Sequence, residues 1–420
     1  MNEKSKFRAF LCHPRSICLF LFCTAFLARV VFYLIFRKDF NNLGINHWLD
    51  IARNLVSGAG YSEHSLLTYF PSTQLEPTAA RGPVPVLALS LLLLIFRSHY
   101  ELPLLIYSWS LSSITAVLLY FLSRNVFRSA KAGLVTALTY CFYLPEMFIS
   151  TAYAAASESL FTLLLMAYFW AMIRSVDSLK ARWAAVSGLL LGLACLSRPV
   201  VLLFPIFYVA WMFQNHRVKA MMPVVIFLAA LILCLSPWVI RNQIVFHRPV
   251  VSTTLGGYNL LRHNGMLDRN DLRIYTAEDF APLAREVVAK AGYRFDRLNE
   301  VQLDQVFKLA AIQQIRAFPW RYLKLCVLRS IWLWYKINAE RFLLLFQNCL
   351  IYLFMFPGLV LVFIRRHSLR VFAVHILYFV LIHAAINAQF RFICPMMPYG
   401  IMLAVYTALL LKECLCRKVN

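Results

Sequence analysis

Residues 220–239 read AMMPVVIFLAALILCLSPWV, twenty consecutive positions without a charged side chain. As a helix this run is about 30 Å long, the thickness of a bilayer's hydrocarbon core. Further apolar blocks lie at 16–36, 103–122, 132–150, 157–173, 183–197, 199–213, 341–364, 371–388 and 395–412, so ten transmembrane helices are expected. Of 420 residues, 61% are hydrophobic and 15% charged, where soluble domains carry about 25% charged residues. In lipid every backbone N–H and C=O must be satisfied within the chain, which makes such blocks helices. The alternating ten-residue segments of a membrane β-barrel do not occur. The expected fold is an all-α polytopic membrane protein.

The formal charge of +23 would suggest nucleic acid as the partner of a soluble protein. Here the basic residues collect in short connections between apolar blocks, where they set topology, and no nucleic-acid partner is expected. Arg124, Arg128 and Lys131 form one such connection, and Arg174, Lys180 and Arg182 the next. Arg217 with Lys219, then Arg365, Arg366 and Arg370, and finally Lys412, Arg417 and Lys418 continue the pattern. If these lie inside, both termini are cytoplasmic and the basic N-terminus leads into an uncleaved first helix. Of 19 acids only Glu3, Asp177 and Glu413 then lie inside. The outer face therefore collects carboxylates. The 11 cysteines fall mostly within apolar blocks without CxxC spacing, and read as small apolar residues. No cofactor is expected, and a divalent metal is not indicated.

Three parts follow. Residues 1–239 form a transmembrane module that includes a long first outer loop, 37–102. Residues 240–340 form a second outer region able to make a small subdomain, and 341–420 carry the last helices. The run 84–96 has thirteen residues, about 20 Å of helix, and is placed at the membrane interface. Segment 318–336 must be lateral or re-entrant if the helix count is to keep its parity.

Within the first outer loop, residues 45–56 show a helical period. Ile45, Trp48, Leu49, Ala52, Leu55 and Val56 take one face, and Asn46, His47, Asp50, Arg53 and Asn54 the other. Asp50 beside His47 is a candidate general base toward a hydroxyl, a role that typically contributes about 10²–10⁴-fold. Its alternative is to solvate an interfacial helix together with Arg53. Arg81, in EPTAARGPVPVL (76–87), precedes a proline-started helix, and suits a phosphate headgroup. Glu158 opens a helix in SESLFTLLLM, Arg198 sits in LSRPV, Arg241 and Asn242 follow SPWVI, and Arg391 lies in QFRFICPMMP. Outer arginines run against the charge bias of membrane loops. One phosphate bound at the outer leaflet would explain them together; independent snorkelling is the alternative.

In order, these pieces are WLDIARNLVSGAGYS (48–62, which includes Tyr61), PTAARGPVPVLA (77–88), SESLFTLLL (157–165), GLLLGLACLSRP (188–199), SPWVIRNQIVFHRPVVSTTLGGYNL (236–260) and QFRFICPMMP (389–398). Over most of its length the chain resembles the GT-C superfamily of glycosyltransferases, of the dolichyl-phosphate-mannose protein mannosyltransferase and lipid A aminoarabinose transferase type. The resemblance implies a GT-C-like bundle of about ten transmembrane helices with interfacial helices and a small outer subdomain. It implies inverting transfer of a hexosyl or pentosyl group from a polyprenyl-phosphate donor to a glycan, lipid or protein acceptor, at the periplasmic face of a bacterial inner membrane. A first-loop carboxylate acts as base in that scheme, and basic residues hold the lipid phosphate. Relatives often carry an Asp four residues before the aromatic that matches Trp48; Gly44 stands there, so Asp50 or Asp39 would substitute, with Glu158 a second acidic position. Two other readings fit the helices: a lipid-linked sugar flippase, which needs charged residues along a mid-membrane path, and a non-catalytic homologue, which Gly44 suggests.

Overall fold

The computed structural model describes residues 14–37, 47–67, 69–269, 276–335, 342–365 and 367–419. Asp39 and Gly44 lie outside the described residues. Each of the ten predicted apolar blocks holds a helix. In chain order the first half contains α1 (Pro14–Phe36), α2 (His47–Val56), a hairpin of β1 (Ser62–Leu66) and β2 (Phe70–Pro77), α3 (Pro83–Phe96), α4 (Glu101–Phe127), α5 (Ala130–Cys141), α6 (Leu144–Ala152), α7 (Glu158–Ser178) and α8 (Ala181–Ser197). The second half contains α9 (Phe204–His216), α10 (Met221–Phe246), α11 (Gly256–Asn264), α12 (Ala277–Lys290), α13 (Glu300–Ala317), α14 (Pro319–Tyr335), α15 (Phe342–Ile364), α16 (Arg370–Ala385), α17 (Phe390–Ile393) and α18 (Met397–Val419).

By length and composition six stretches among the described residues are able to cross a membrane, or seven if α5 and α6, bent by 49°, form one span. Three shorter apolar helices, α3, α8 and α16, accompany them. The expected count of ten therefore divides into long spans and shorter apolar helices. Residues 199–246 satisfy the length test as one run of 48 residues, yet the chain reverses within it. Tyr208 and Phe227 stack with ring centroids 3.8 Å apart, whereas one straight helix would separate them by about 28 Å. The turn falls at Arg217, which adopts a left-handed φ of 49°. Segment 319–335, a helix of 17 residues, is not among the candidate spans.

Small residues let neighbouring helices touch. A Cβ at Gly188 would sit 2.3 Å from the Phe227 carbonyl, and one at Gly192 2.6 Å from Cys234 Cβ. These two positions seat α8 directly on α10, as small residues do between membrane helices.

The reading of the apolar blocks overlooked one charged cluster. Arg29, on α1, is fully buried. It donates to the Ala25 carbonyl at 2.7 Å, the Cys141 carbonyl at 3.3 Å and Ser112 Oγ at 2.7 Å. Ser112 donates in turn to Glu146 Oε1 at 2.9 Å. A guanidinium in apolar surroundings is tolerated when neighbours satisfy it. The cluster ties α1, α4 and α6 together as a lock between helices; it does not continue as a path along them.

The two outer regions share one core. Leu67 and Phe70 of the hairpin pack with Tyr258, Leu261, Phe280, Leu303 and Phe307. The hairpin was not expected from sequence, and it makes the first outer loop part of the second region's module.

Replacing Arg29 with Met removes the cation near the buried Glu146 carboxyl and leaves that group to Ser112. We expect a loss of about 3–5 kcal/mol in the thermal stability of the purified protein. The double variant Arg29→Met/Glu146→Leu should recover most of that loss. Equal destabilisation by single and double variants would show that the lock is not an electrostatic unit.

Candidate active site

Arg81 is fixed by its backbone before its side chain reaches anything. Gly82 lies so near the end of α8 that a Cβ there would stand 2.0 Å from the Leu196 carbonyl oxygen. Tyr61 OH donates to the Arg81 carbonyl at 2.9 Å. One step back, the Glu300 carboxylate accepts from Thr78 Oγ1 at 2.9 Å, from the Ala79 amide at 2.5 Å and from Thr254 Oγ1 at 3.1 Å. Glu300 is the first residue of α13, whose start is set by a capping box between Asn299 and Gln302. Burial pushes the Glu300 carboxyl up to about 7, against the hydrogen bonds that favour its charged form.

Arg241 belongs to this frame. Its guanidinium donates to the Thr78 carbonyl at 2.9 Å, the Tyr61 carbonyl at 3.1 Å and Asn242 Oδ1 at 2.8 Å. Asn242 is buried and donates to the Val250 carbonyl. Both residues, expected as phosphate binders, thus brace the loop that carries Arg81. Tyr61 does the same.

The Arg81 side chain lies over the Trp48 ring, 4.3 Å from its centroid, and donates to Tyr69 Oη at 3.3 Å. Arg262, on α11, stands 5.7 Å from the centroid of the same Tyr69 ring. Asp304 of α13 places that short helix by accepting from the Tyr258 amide at 2.8 Å. Burial lifts the Asp304 carboxyl to about 6. At the far end of α11, Arg329 donates to the His263 carbonyl and to Asn264 Oδ1, a cation at a helix C-terminus. Burial would raise the Tyr69 phenol; the charges of Arg81, Arg262 and Arg391 more than offset it, and the group falls below its ordinary value. Arg81 and Arg262 thus both stand against Tyr69.

Glu158 holds the next arginines. It is 1% exposed. Arg198 Nη2 meets Glu158 Oε1 at 2.6 Å while its Nε donates to Ser157 Oγ at 2.9 Å. Arg391 Nη1 approaches the same carboxylate oxygen at 3.6 Å. Gln389 Oε1 accepts from Arg391 Nε at 3.0 Å, and the Tyr153 and Phe392 rings flank its guanidinium. The structure thus brings Glu158, Arg198 and Arg391 into one group, with Arg81 and Arg262 across Tyr69.

Tyr69 also lines a cavity of about 400 Å³ with His47, Asp50, Arg53, Glu63 and His64. Asp50 is half exposed and paired with Arg53 at 3.0 Å. Arg53 also donates to the Tyr100 hydroxyl at 2.6 Å. Glu63 is nearly buried, and its Oε1 lies 2.7 Å from His47 Nδ1. A register shift in the hairpin falls between Glu63 and Ser65; such bulges re-aim side chains. Sequence reading missed Glu63, Tyr69 and Arg262. The rule that an outer arginine needs a reason applied to Arg262 as well, but the region 240–340 holds many arginines and the rule does not choose among them. Glu63 and Tyr69 carry no signal of their own, because the bulge and the packing of Tyr69 on Tyr258, at 4.6 Å, are tertiary. Among the described residues no group of three or more His, Cys, Asp or Glu side chains is set to hold a metal.

Residues 80–240 match the family model of the dolichyl-phosphate-mannose-protein mannosyltransferases. No curated protein matches the chain by sequence. Among solved structures, the archaeal oligosaccharyltransferase AglB from Archaeoglobus fulgidus, in complex with an inhibitory peptide and a dolichol-phosphate, superposes with a TM-score of 0.55 and 14% identity, over 96% of this chain and 51% of the other. Its apo form gives 0.56 and 16%, over 96% and 52%. The chain has the GT-C fold. It spans about half the length of these structures. Within the GT-C fold the arginine group sits where the first outer loop, α7, α8 and the C-terminal helices meet.

Two outcomes test this frame. Gly82→Ala drives a methyl group into a backbone carbonyl, and is expected to cost about 1–3 kcal/mol of thermal stability. Glu300 has a folded value of about 7 against an ordinary 4.5. Its contribution is fully present below pH 4.5 and is lost as pH rises through 7, by about 3 kcal/mol at most. The melting midpoint should fall from pH 5 to pH 8, and Glu300→Gln should flatten that slope. An unchanged slope in the variant would assign the pH dependence to other groups.

Proposed function

We propose that this protein transfers a sugar from a polyprenyl-phosphate donor to an acceptor hydroxyl at the outer face of the membrane. The observation that carries the reading is the pair of guanidiniums at Tyr69, with Arg81 donating to its hydroxyl at 3.3 Å and Arg262 5.7 Å from its ring centroid. Tyr69 also lines the cavity that contains Glu63 and Asp50. A cluster of cations beside carboxylates, at the ends of apolar helices, suits an anionic lipid head with a reacting centre next to it. The family match of residues 80–240 and the dolichol-phosphate held by the structurally similar AglB support a lipid-phosphate donor.

In this reading the guanidiniums of Arg81, Arg262 and Arg391 bind the donor phosphate, each charge-assisted hydrogen bond contributing about 1.5–3 kcal/mol. Glu158 positions Arg198 and Arg391. The acceptor oxygen forms its bond to the anomeric carbon opposite the phosphate, so configuration inverts. The bond from that carbon to the phosphate oxygen breaks, and its electron pair stays with the polyprenyl phosphate, where charge develops toward the arginines. The acceptor proton passes to a carboxylate of the cavity. Glu63 suits that role better than Asp50: it is nearly buried and held by His47, whereas Asp50 is half exposed and neutralised by Arg53. By the charge bias of the connecting loops, the site faces the periplasm of a bacterial inner membrane. The acceptor is a glycan, a lipid or a protein hydroxyl.

The test uses the full chain in liposomes with labelled polyprenyl-phosphate sugars and envelope extract. Wild type should release polyprenyl phosphate and label an acceptor. Glu63→Gln should lower kcat by about 10²–10⁴-fold with donor binding retained. Asp50→Asn should lower it far less, and Arg262→Ala should weaken donor binding. Movement of donor across the liposome membrane with no transfer to any acceptor would replace this reading with a flippase.

A further inference from the structure

A second basic cavity lies at the other end of the helices that carry the candidate active site. Its volume is about 800 Å³, and Arg124, Arg128 and Arg174 line it together with Leu118, Phe121 and Trp170. The distance from the candidate site follows from helix length. Tyr100 precedes α4 and takes a hydrogen bond from Arg53, beside Asp50. Arg124 lies 24 residues further along, about 36 Å away. Glu158 likewise opens α7 and Arg174 comes near its end. Since α4 and α7 are both candidate spans, this cavity opens at the opposite membrane face.

Its chemistry is one-sided. No carboxylate lines it; Asp177, one turn beyond Arg174, lies outside. The ion pairs found among the described residues include none of these three arginines. Arg174 rests over the Trp170 ring at 5.5 Å, so its cation faces an apolar wall. Ser129 and Ala130, at the start of α5, close the cavity. Positive loop charge alone sets topology and needs no pocket. Here three guanidiniums line a concavity together with a leucine and two aromatic rings.

We propose that this cavity binds the phosphate head of an anionic phospholipid of that leaflet, with an acyl chain against Leu118, Phe121 and Trp170. Guanidiniums pair with phosphate oxygens in forked geometry, and basic pockets between membrane helices hold anionic heads. A zwitterionic choline head would bring its own cation toward three arginines and is disfavoured. The site is independent of sugar transfer.

The experiment is native mass spectrometry of the full-length protein in micelles doped with phosphatidylglycerol or phosphatidylcholine. Wild type should retain one more phosphatidylglycerol than Arg124→Gln/Arg128→Gln/Arg174→Gln, and no phosphatidylcholine in that site. The single variant Arg174→Gln should weaken retention by about tenfold or more; it keeps the test open if the triple variant fails to insert. Arg217→Gln/Lys219→Gln, which removes charge from another connection on the same face, should leave retention unchanged. Equal loss in that control would reduce the effect to general surface charge and overturn the proposal. Undiminished retention in Arg174→Gln together with the triple variant would do the same. Displacement of the lipid by excess inorganic phosphate would make free phosphate the ligand in place of a lipid.

Discussion

Everything around the candidate site depends on one buried carboxylate meeting cations from distant parts of the chain. Glu158 stands at the head of α7 with almost no contact with solvent, and alone it would be costly there. Arg198 from the end of α8 and Arg391 from α17 relieve that cost. The exchange is mutual: the carboxylate also makes it tolerable to crowd two guanidiniums within a few ångströms of one oxygen. Because the three residues come from three segments, the pair fixes how the central hairpin of α7 and α8 meets the C-terminal helices.

A second carboxylate, Glu300, does comparable work at the start of α13. It ties residues 78 and 79 to α13, while Arg241 grips the carbonyls of Thr78 and Tyr61 from α10. The short stretch before Gly82 is thereby held from both sides, and Arg81 reaches forward from a rigid base. Two arginines that look alike in sequence therefore differ in their surroundings. Arg241 donates to two backbone carbonyls and to Asn242. Arg81 leans on Trp48 and Tyr69 and keeps its face toward the cluster.

The helices were legible in the sequence because bilayer thickness imposes a length and lipid imposes a composition. Arg198 and Arg391 were legible because arginines at the expected outer ends of apolar blocks contradict the bias of membrane loops, and Glu158 because it is a carboxylate that opens an apolar helix. The same logic pointed to Arg241 and Asn242, since it registers an unexpected charge but not which carbonyl satisfies it. Arg29 escaped notice inside an apolar run, where one residue scarcely changes the average. Glu63, Tyr69 and Arg262 depend on a bulge, a ring stack and a docked helix, none of which a local pattern encodes. The hairpin β1–β2 escaped for the same reason: its hydrophobic face is completed by α11, α12 and α13, nearly two hundred residues away.

That separation governs how the molecule is made. Thr78 and Glu300 are 222 positions apart, and between them lie most of the membrane helices. During synthesis the N-terminal loop must wait, uncovered, while those helices are inserted one after another. Arg81 acquires its rigid base only when α13 has been made and has docked. The cleft is thus among the last features to mature, and until then the nascent protein is a membrane anchor with an open, unassembled loop.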